Sequence, residues 1–118
     1  MKIIIAGSRN FTNYQMLKTI CNQILQDQNN IIIVSGGHYK GADKLGEQYA
    51  IEKKIKIIKF PADWMKYGKA AGPKRNKQMA IYADALIAFW DGKSIGTKNM
   101  IQQAKHNQLE TRIILIEN

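Results

Sequence analysis

The sequence predicts an α/β fold, a Rossmann-like three-layer sandwich around a mainly parallel five-stranded sheet. Two patterns lead to this prediction. Five short apolar runs are rich in β-branched residues, as is typical of strands buried on both faces of a parallel sheet. Segments with a helical spacing of apolar residues separate these runs, and such alternation places helices on both faces of the sheet. The length of 118 residues is typical of one domain, so we expect residues 1–118 to form a single unit.

The first half of the chain contains three predicted strands and two predicted helices. The strands are residues 2–6, 31–35 and 55–60. A capping-box spacing that starts at Thr12 predicts the beginning of the first helix. Cys21 lies on the apolar stripe of that helix, which favours a buried core thiol over a nucleophile. The second helix is predicted from about residue 42 to residue 53.

The second half begins with a long connection, residues 61–72. Connections of about 12 residues are uncommon in small domains and are often functional. Pro73 suits the first turn of a helix that runs to about residue 83. Thr97 is predicted to cap the last helix. The remaining strands are residues 85–90 and 112–116.

The net charge of +9 is the unusual feature of the composition, with 18 basic and 9 acidic residues. Residues 38–77 hold eleven of the basic residues and four of the acidic ones. This excess suits either nucleic acid or a small anionic ligand. No apolar run approaches the ~20 residues that span a bilayer, so we expect no membrane partner. The single cysteine excludes an intrachain disulfide framework and indicates a reducing cytoplasm.

The loops that follow the predicted strands share glycine and basic residues. In an open parallel sheet, ligands bind outside the carboxyl ends of the strands. The loops there each contain glycine and precede a helix, where backbone N–H groups and helix dipoles attract phosphate. Basic residues lie in or just after the same loops: Arg9, Lys40, Lys44, Lys66, Lys69, Lys74, Arg75, Lys77, Lys93 and Lys98. The sequence therefore predicts a site for a phosphate-bearing ligand at this edge.

Two common phosphate motifs are absent from these loops. A Walker A loop ends in Gly-Lys-Ser/Thr, but Gly41 is followed by Ala42 and Asp43. The dinucleotide fingerprint Gly-x-Gly-x-x-Gly should follow the first strand, and the residues that begin at Gly7 do not supply it. An ATPase and an ordinary NAD-dependent dehydrogenase therefore lose support.

The loop residues together resemble the SLOG superfamily, the Rossmann-like group that includes the Lonely Guy phosphoribohydrolases and DprA. The similarity is greatest to its small single-domain branch, which is related to YspA and YpsA. The matching blocks are Gly7-Ser8-Arg9, Ser35-Gly36-Gly37, Gly41-Ala42-Asp43, Ala62-Asp63-Trp64, Gly72-Pro73 with Arg75-Asn76, and Asp91-Gly92 through Gly96-Thr97. The resemblance implies a pocket for nucleotides or nucleotide-derived molecules, a role in bacterial and phage conflict systems, and a homo-oligomer.

The sequence departs from the family pattern at two places. Residues 38–40 separate Gly-Gly from Gly-Ala-Asp, where two residues are expected. The Lonely Guy enzymes carry a catalytic glutamate in a Gly-Thr-x-x-Glu block, and here Met100 stands in its place. Methionine supplies neither acid/base help nor carboxylate stabilisation, so a binding protein is favoured over an enzyme. The acids near the edge are Asp43, Asp63, Asp91 and Glu47. Asp43 suits a helix start or a ribose hydroxyl acceptor, and Asp91 suits a turn or a ligand contact.

Arginines and aromatic residues are the sharpest candidates within the loops. Arg9 and Arg75 are two of three arginines, and a guanidinium binds phosphate bidentately. Trp64 could stack on a base or act as a hydrophobic plug that pins its loop. His38 suits a ligand contact or a solvated loop equally. Further aromatic candidates for stacking are Tyr39, Tyr67 and Trp90.

The sequence thus favours a cytoplasmic protein that senses or sequesters a nucleotide or ADP-ribose-type ligand. Two alternatives stay open, a nucleotide phosphoribohydrolase and a DprA-like nucleic-acid binder. We expect no cofactor and no metal site, since His38 and His106 lie in different segments, and we assign no catalytic residue. The predicted ligand-binding residues are Gly7, Ser8, Arg9, Gly36, Gly37, Lys40, Gly41, Ala42, Asp43, Gly72, Pro73, Arg75, Asn76, Trp90, Asp91, Gly92, Ser94, Gly96 and Thr97.

Overall fold

A computed structural model describes residues 1–117 and shows strands and helices in alternation. The strands are β1 (Lys2–Gly7), β2 (Ile32–Ser35), β3 (Lys56–Lys59), β4 (Ala85–Trp90) and β5 (Glu110–Leu115). The helices are α1 (Tyr14–Leu25), α2 (Ala42–Glu52), α3 (Trp64–Tyr67), α4 (Ala71–Tyr82) and α5 (Ile95–His106), with a 3-10 turn at Gly68–Ala70 between α3 and α4.

The five strands form one sheet in the order β3-β2-β1-β4-β5. Every neighbouring pair runs parallel, which confirms the predicted Rossmann-like α/β fold. The strand order reverses between β1 and β4, so the loops after these two strands diverge there. Open α/β sheets bind ligands at such a reversal, on the side where the strands end. We call that side, marked by Gly7, Ser35, Lys59 and Trp90, the carboxyl edge.

Helices cover both faces of the sheet because the central strands are apolar on both sides. In β1, Ile3 and Ile5 point to the face covered by α1 and α2, and Ile4 and Ala6 point to the face covered by α4 and α5. Successive side chains of a strand alternate between the two faces, so an unbroken apolar run fills two cores. Cys21 is fully buried in the first core, and burial raises the pKa of its thiol to about 12.

Three helix starts differ from the sequence prediction. α1 is capped by Asn13 rather than Thr12, since the Asn13 side chain accepts a 3.0 Å hydrogen bond from the Met16 amide. α4 begins two residues before Pro73, which is tolerated because the first N–H groups of a helix have no partner within it. Thr97 lies inside α5, which begins after Ser94.

The connection over residues 61–72 is more regular than predicted. It contains α3, which starts where the Asp63 side chain accepts a hydrogen bond of 3.1 Å from the Lys66 amide. None of the residues of α3 is buried. Within residues 1–117, no helix combines the length and apolarity that crossing a membrane would require.

Candidate functional site at the carboxyl edge

A cavity of about 490 Å³ opens at the carboxyl edge, within the usual size range of small-molecule sites. The loops after β1 and β2 form one side of it, and α3 with the first turns of α4 and α5 forms the other. The structure brings most of the predicted residues together here. Those that line the cavity are Gly7, Arg9, Lys40, Asp43, Gly72, Pro73, Arg75, Asn76, Ser94, Gly96 and Thr97.

The other predicted residues do not line the cavity: Ser8, Gly36, Gly37, Gly41, Ala42, Trp90, Asp91 and Gly92. Ser8 shows what several of them do instead. It is buried, its Oγ accepts from the Asp91 amide at 3.1 Å, and its carbonyl accepts from the Ala42 amide at 3.2 Å. Ser8 therefore holds the loops after β1 and β4 against the start of α2.

Gly41 is a glycine because two backbones meet there. Its φ is +76°, and a Cβ would lie 2.5 Å from the Cα of Arg9 and 2.6 Å from the carbonyl oxygen of Ser8. Such distances leave no room for a side chain, so only glycine allows the loop before α2 to pack on the loop that carries Arg9.

Gly36 leaves space for two charged side chains. A Cβ there would lie 2.6 Å from Nη1 of Arg75 and 2.9 Å from Oδ2 of Asp43. Instead, Nη1 of Arg75 donates to the Gly36 carbonyl at 2.6 Å and more weakly to the Phe60 carbonyl at 3.4 Å. The guanidinium of Arg75 therefore lies across the ends of β2 and β3.

Charges in the cavity are only partly balanced. Burial raises the pKa of Asp43, although the His38 amide, which donates to Oδ2 at 3.1 Å, and the nearby Arg75 oppose the rise. Burial lowers the pKa of Arg75, with Arg9 acting in the same direction and Asp43 against it. Among residues 1–117, the ion pairs within 4.0 Å are Lys18–Glu52 and Lys59–Glu47, so neither cavity arginine is paired.

Asp91 and Trp90 shape the loop before α5. Asp91 accepts from the amides of Lys93 at 2.9 Å and Ser94 at 2.8 Å, and these hydrogen bonds lower the pKa of its carboxyl. The indole N–H of Trp90 donates to the Ser94 carbonyl at 3.1 Å. Both side chains make contacts that organise the turn, and neither lines the cavity.

Asn76 connects α4 to α5. Its Oδ1 accepts from Nε of Arg75 at 3.0 Å, and its Nδ2 donates to the Gly96 carbonyl at 3.3 Å and to Oδ1 of Asn99 at 3.0 Å. Asn76 is 5% exposed. Every polar atom of this buried amide is therefore used to fix the relative positions of Arg75 and the first turn of α5.

Several cavity residues were missing from the predicted set. They are Ala6, His38, Trp64, Lys69, Met79, Ile95, Asn99 and Met100. Three of them lie one helical turn after a predicted residue, so helical periodicity identifies them. Met79 lies three residues after Asn76, and Asn99 and Met100 lie three and four residues after Gly96.

Two solved structures share the fold. DNA processing protein A (DprA) from Streptococcus pneumoniae matches with a TM-score of 0.75 and 17% identity, over 95% of this chain and 49% of that chain. DprA from Helicobacter pylori matches with a TM-score of 0.69 and 21% identity, over 96% of this chain and 64% of that chain. The chain thus spans half to two thirds of the DprA chains, and likeness at these identities concerns the fold.

Sequence comparison gives a relative and a family. The gene 61 protein of Mycobacterium phage D29 is 27% identical over 111 residues, which cover 88% of each chain. Residues 1–67, more than half of the chain, match the model of the YAcAr family, described as the YspA, cpYpsA-related SLOG family. Those residues include the loop after β1, which carries Arg9, and the first turn of α2, which carries Asp43. The chain therefore belongs to the YspA, cpYpsA-related SLOG family.

Proposed function

We propose that this chain binds a nucleotide or nucleotide-derived molecule, of the ADP-ribose type, in the cavity at the carboxyl edge. It acts as a single cytoplasmic domain that senses or sequesters this ligand. The observation that carries the proposal is the pair of cavity arginines, Arg9 and Arg75, which have no acidic partner within 4.0 Å in the described part of the chain.

The basic side chains of the cavity form a site for a polyanion. Arg9, Lys40, Lys69 and Arg75 line it together with a single carboxylate, Asp43. Arg75 is held through Nη1 by the carbonyls of Gly36 and Phe60 and through Nε by Asn76, and it makes no ion pair within 4.0 Å in the described part of the chain. Its Nη2 group is left for a charge-assisted hydrogen bond to phosphate.

Helix starts add to the attraction for phosphate. The first turns of α2, α4 and α5 all contribute lining residues, and these helices are 11, 12 and 12 residues long. Each helix start carries partial positive charge. The first amides of α2 and α4 donate to the carbonyls of Ser8 and Gly68, and Pro73 has no N–H, so α2 and α4 act chiefly through this partial charge. The convergence of three of them beside Arg9 and Arg75 supports a ligand with more than one phosphate.

The biological setting of the proposal comes from the relatives. Family membership supports nucleotide-derived ligands, and the similar gene 61 protein comes from a phage. A phage-borne protein that captures a defence signal fits both. A homo-oligomer stays a prediction. Its support is that Ile113 and Leu115 are exposed on the edge strand β5.

The test is isothermal titration calorimetry with ADP-ribose and AMP. Wild-type protein is expected to bind at least one of them, and Arg9→Ala to weaken that binding at least about tenfold, as loss of a charge-assisted hydrogen bond implies. The third arginine, Arg112, is exposed and lines a separate cavity, so Arg112→Ala is the matched control. Equal weakening in both variants, or no binding by the wild type, would contradict the proposal.

Hydrolysis is a second candidate because of Asp43. It lines the cavity, and a carboxyl whose pKa is raised by burial can serve as a general acid. Asp63 caps α3 and Asp91 holds the turn before α5, so neither is available in the cavity. Chromatography after incubation with AMP, NAD or ADP-ribose separates the two functions. Intact ligands support binding alone, and a base released by wild type but not by Asp43→Asn supports hydrolysis.

Nucleic acid is the third candidate. The structure of DprA from Helicobacter pylori is described as showing a single-stranded DNA binding mode, and this chain carries a net charge of +9. Binding through phosphates loses affinity steeply as salt rises. Tight binding of an oligonucleotide with such a salt dependence, retained in Arg9→Ala, would favour this function over the small ligand.

A further inference from the structure

The lining of the cavity combines basic and apolar side chains. Its basic side chains are Arg9, Lys40, Lys69 and Arg75. The helical side adds an apolar wall from α3, α4 and α5: Trp64, Pro73, Met79, Ile95 and Met100. A simple polyanion would use the basic side chains and leave the apolar wall without a role. Basic side chains together with an apolar wall suit a ligand with a phosphate at one end and an aromatic ring at the other.

Trp64 is the large ring of this wall. It is 50% exposed, on a helix with no buried residue, and its Cη2 lies 3.4 Å from the position of a Cβ on Gly72. The indole thus rests against the first turn of α4 with the rest of its surface open. A half-exposed indole beside a cavity offers a face on which a planar ring can stack.

The donors and acceptors around Asn76 determine the orientation of the Asn99 side-chain amide. A guanidinium only donates, so the atom of Asn76 that faces Arg75 must be its oxygen. The nitrogen of Asn76 then donates to the Gly96 carbonyl and to Asn99, which must present its own oxygen. The NH₂ group of Asn99 is left as a donor, and Asn99 lines the cavity.

We propose that Trp64 and Asn99 select the base of the ligand, with Trp64 stacked on the ring and the Asn99 NH₂ group donating to a ring acceptor. This inference rests on the proposed function, because it assigns the other end of the same ligand. The link to Asn76 requires only an acceptor at position 99, which Asp would supply equally well. The free donor of the asparagine is therefore the part of Asn99 that is left for the ligand.

The test compares nucleoside 5′-monophosphates (AMP, GMP, CMP and UMP) with ribose 5-phosphate by calorimetry. These probes share the sugar phosphate, so the ratio of the affinity for a nucleotide to that for ribose 5-phosphate measures the contribution of the base. Wild type is expected to bind at least one nucleotide about tenfold more tightly than ribose 5-phosphate. Trp64→Ala should reduce this ratio to near one while leaving the affinity for ribose 5-phosphate unchanged.

Asn99→Asp probes the donor. It keeps an oxygen for Asn76 but loses the NH₂ group, so the preference for the nucleotide should fall about fivefold to tenfold relative to ribose 5-phosphate. Any general repulsion of phosphate by the new charge acts on both probes and cancels in the ratio. Met65, on the same helix as Trp64 and 99% exposed, gives the matched control Met65→Ala, which should behave as wild type.

The outcomes separate this inference from the proposed function. If ribose 5-phosphate binds but no nucleotide binds more tightly, or if both variants keep the wild-type ratio, base selection by these residues is overturned and the anion site stands. If wild type binds neither the nucleotides nor ribose 5-phosphate nor ADP-ribose, both proposals fail.

Discussion

The carboxyl edge and the core beneath it treat polar side chains in opposite ways. The buried polar residues of the described chain, Ser8, Ser35, Asn76 and Thr97, all lie at or next to the carboxyl edge. The two cores are otherwise apolar. Burial of a polar group is unfavourable unless it is hydrogen-bonded, and Ser8, Ser35 and Asn76 each make such bonds. Buried polar contacts therefore help to hold the loops of the carboxyl edge in place.

The opposite edge, where the strands begin, has no buried polar residue among residues 1–117. Its polar contacts are exposed: the Lys2 amide donates to Oδ2 of Asp84 at 2.8 Å, and the amino terminus donates to the Asn30 carbonyl at 3.0 Å. The cavity there, at about 110 Å³, is lined mainly by apolar residues. The difference teaches that the two ends of one sheet can be distinguished by buried polar contacts as well as by surface charge.

The largest effect is expected in the core. Ile4 is fully buried in the centre of the sheet, so Ile4→Ala should lower the free energy of unfolding by about 2–5 kcal/mol. Urea denaturation measures this change, with exposed Ile51→Ala as a control that should stay within about 0.5 kcal/mol. Ligand affinity measured well below the unfolding midpoint should be unchanged, since Ile4 does not line the cavity.

A smaller loss of stability, joined to a loss of binding, is expected at the edge. Asn76→Ala leaves Nε of Arg75 and the Gly96 carbonyl without their partner, which should cost about 1–3 kcal/mol. Because the change also frees Arg75, affinity for ADP-ribose should fall. The side chain of Asn107 donates to the Gln103 carbonyl at 2.9 Å, away from the cavity, so Asn107→Ala should spare binding. Unchanged binding in Asn76→Ala would break the link between polar burial and function.

The pH dependence of stability gives the finest test of the comparison. Burial raises the pKa of Asp43 in the folded state, so between its unfolded and folded values the native chain holds more protons than the unfolded one. Stability must therefore fall as pH rises through that window, which begins near pH 4. Asp43→Asn should remove this part of the pH dependence in thermal unfolding curves, whereas exposed Asp27→Asn should retain it. A curve for Asp43→Asn that matches wild type would contradict the assigned burial.

The strands and the edge that carries the site were predictable because they depend on local patterns. An apolar run such as residues 2–6 specifies a strand buried on both faces, and glycine before a helix marks the carboxyl ends. The roles of individual glycines were not predictable. Gly36 and Gly41 look like ligand contacts in the sequence, but the structure shows that they make room for Arg75, Asp43 and the backbone of Arg9.

The helical side of the site was harder to predict for a physical reason. Trp64 and Ile95 line the cavity where α3, α4 and α5 meet, and no local sequence pattern records how these helices pack. Trp90 has a contact that the sequence did not predict. It stands at the end of β4, and its indole N–H donates to the Ser94 carbonyl in the loop that follows. Membership in the family gave the location of the pocket but not the side chains that line its apolar wall.

The central claim is that ligand binds at the carboxyl edge, and two-dimensional ¹H–¹⁵N NMR during titration with ADP-ribose tests it most directly. The account predicts the largest amide shifts in the loops after β1 and β2 and in the first turns of α4 and α5, around Arg9, Asp43, Arg75 and Gly96. Amides at the opposite edge, such as Lys2 and Glu110, should not move. An unchanged spectrum, or shifts concentrated at that opposite edge, would contradict the account.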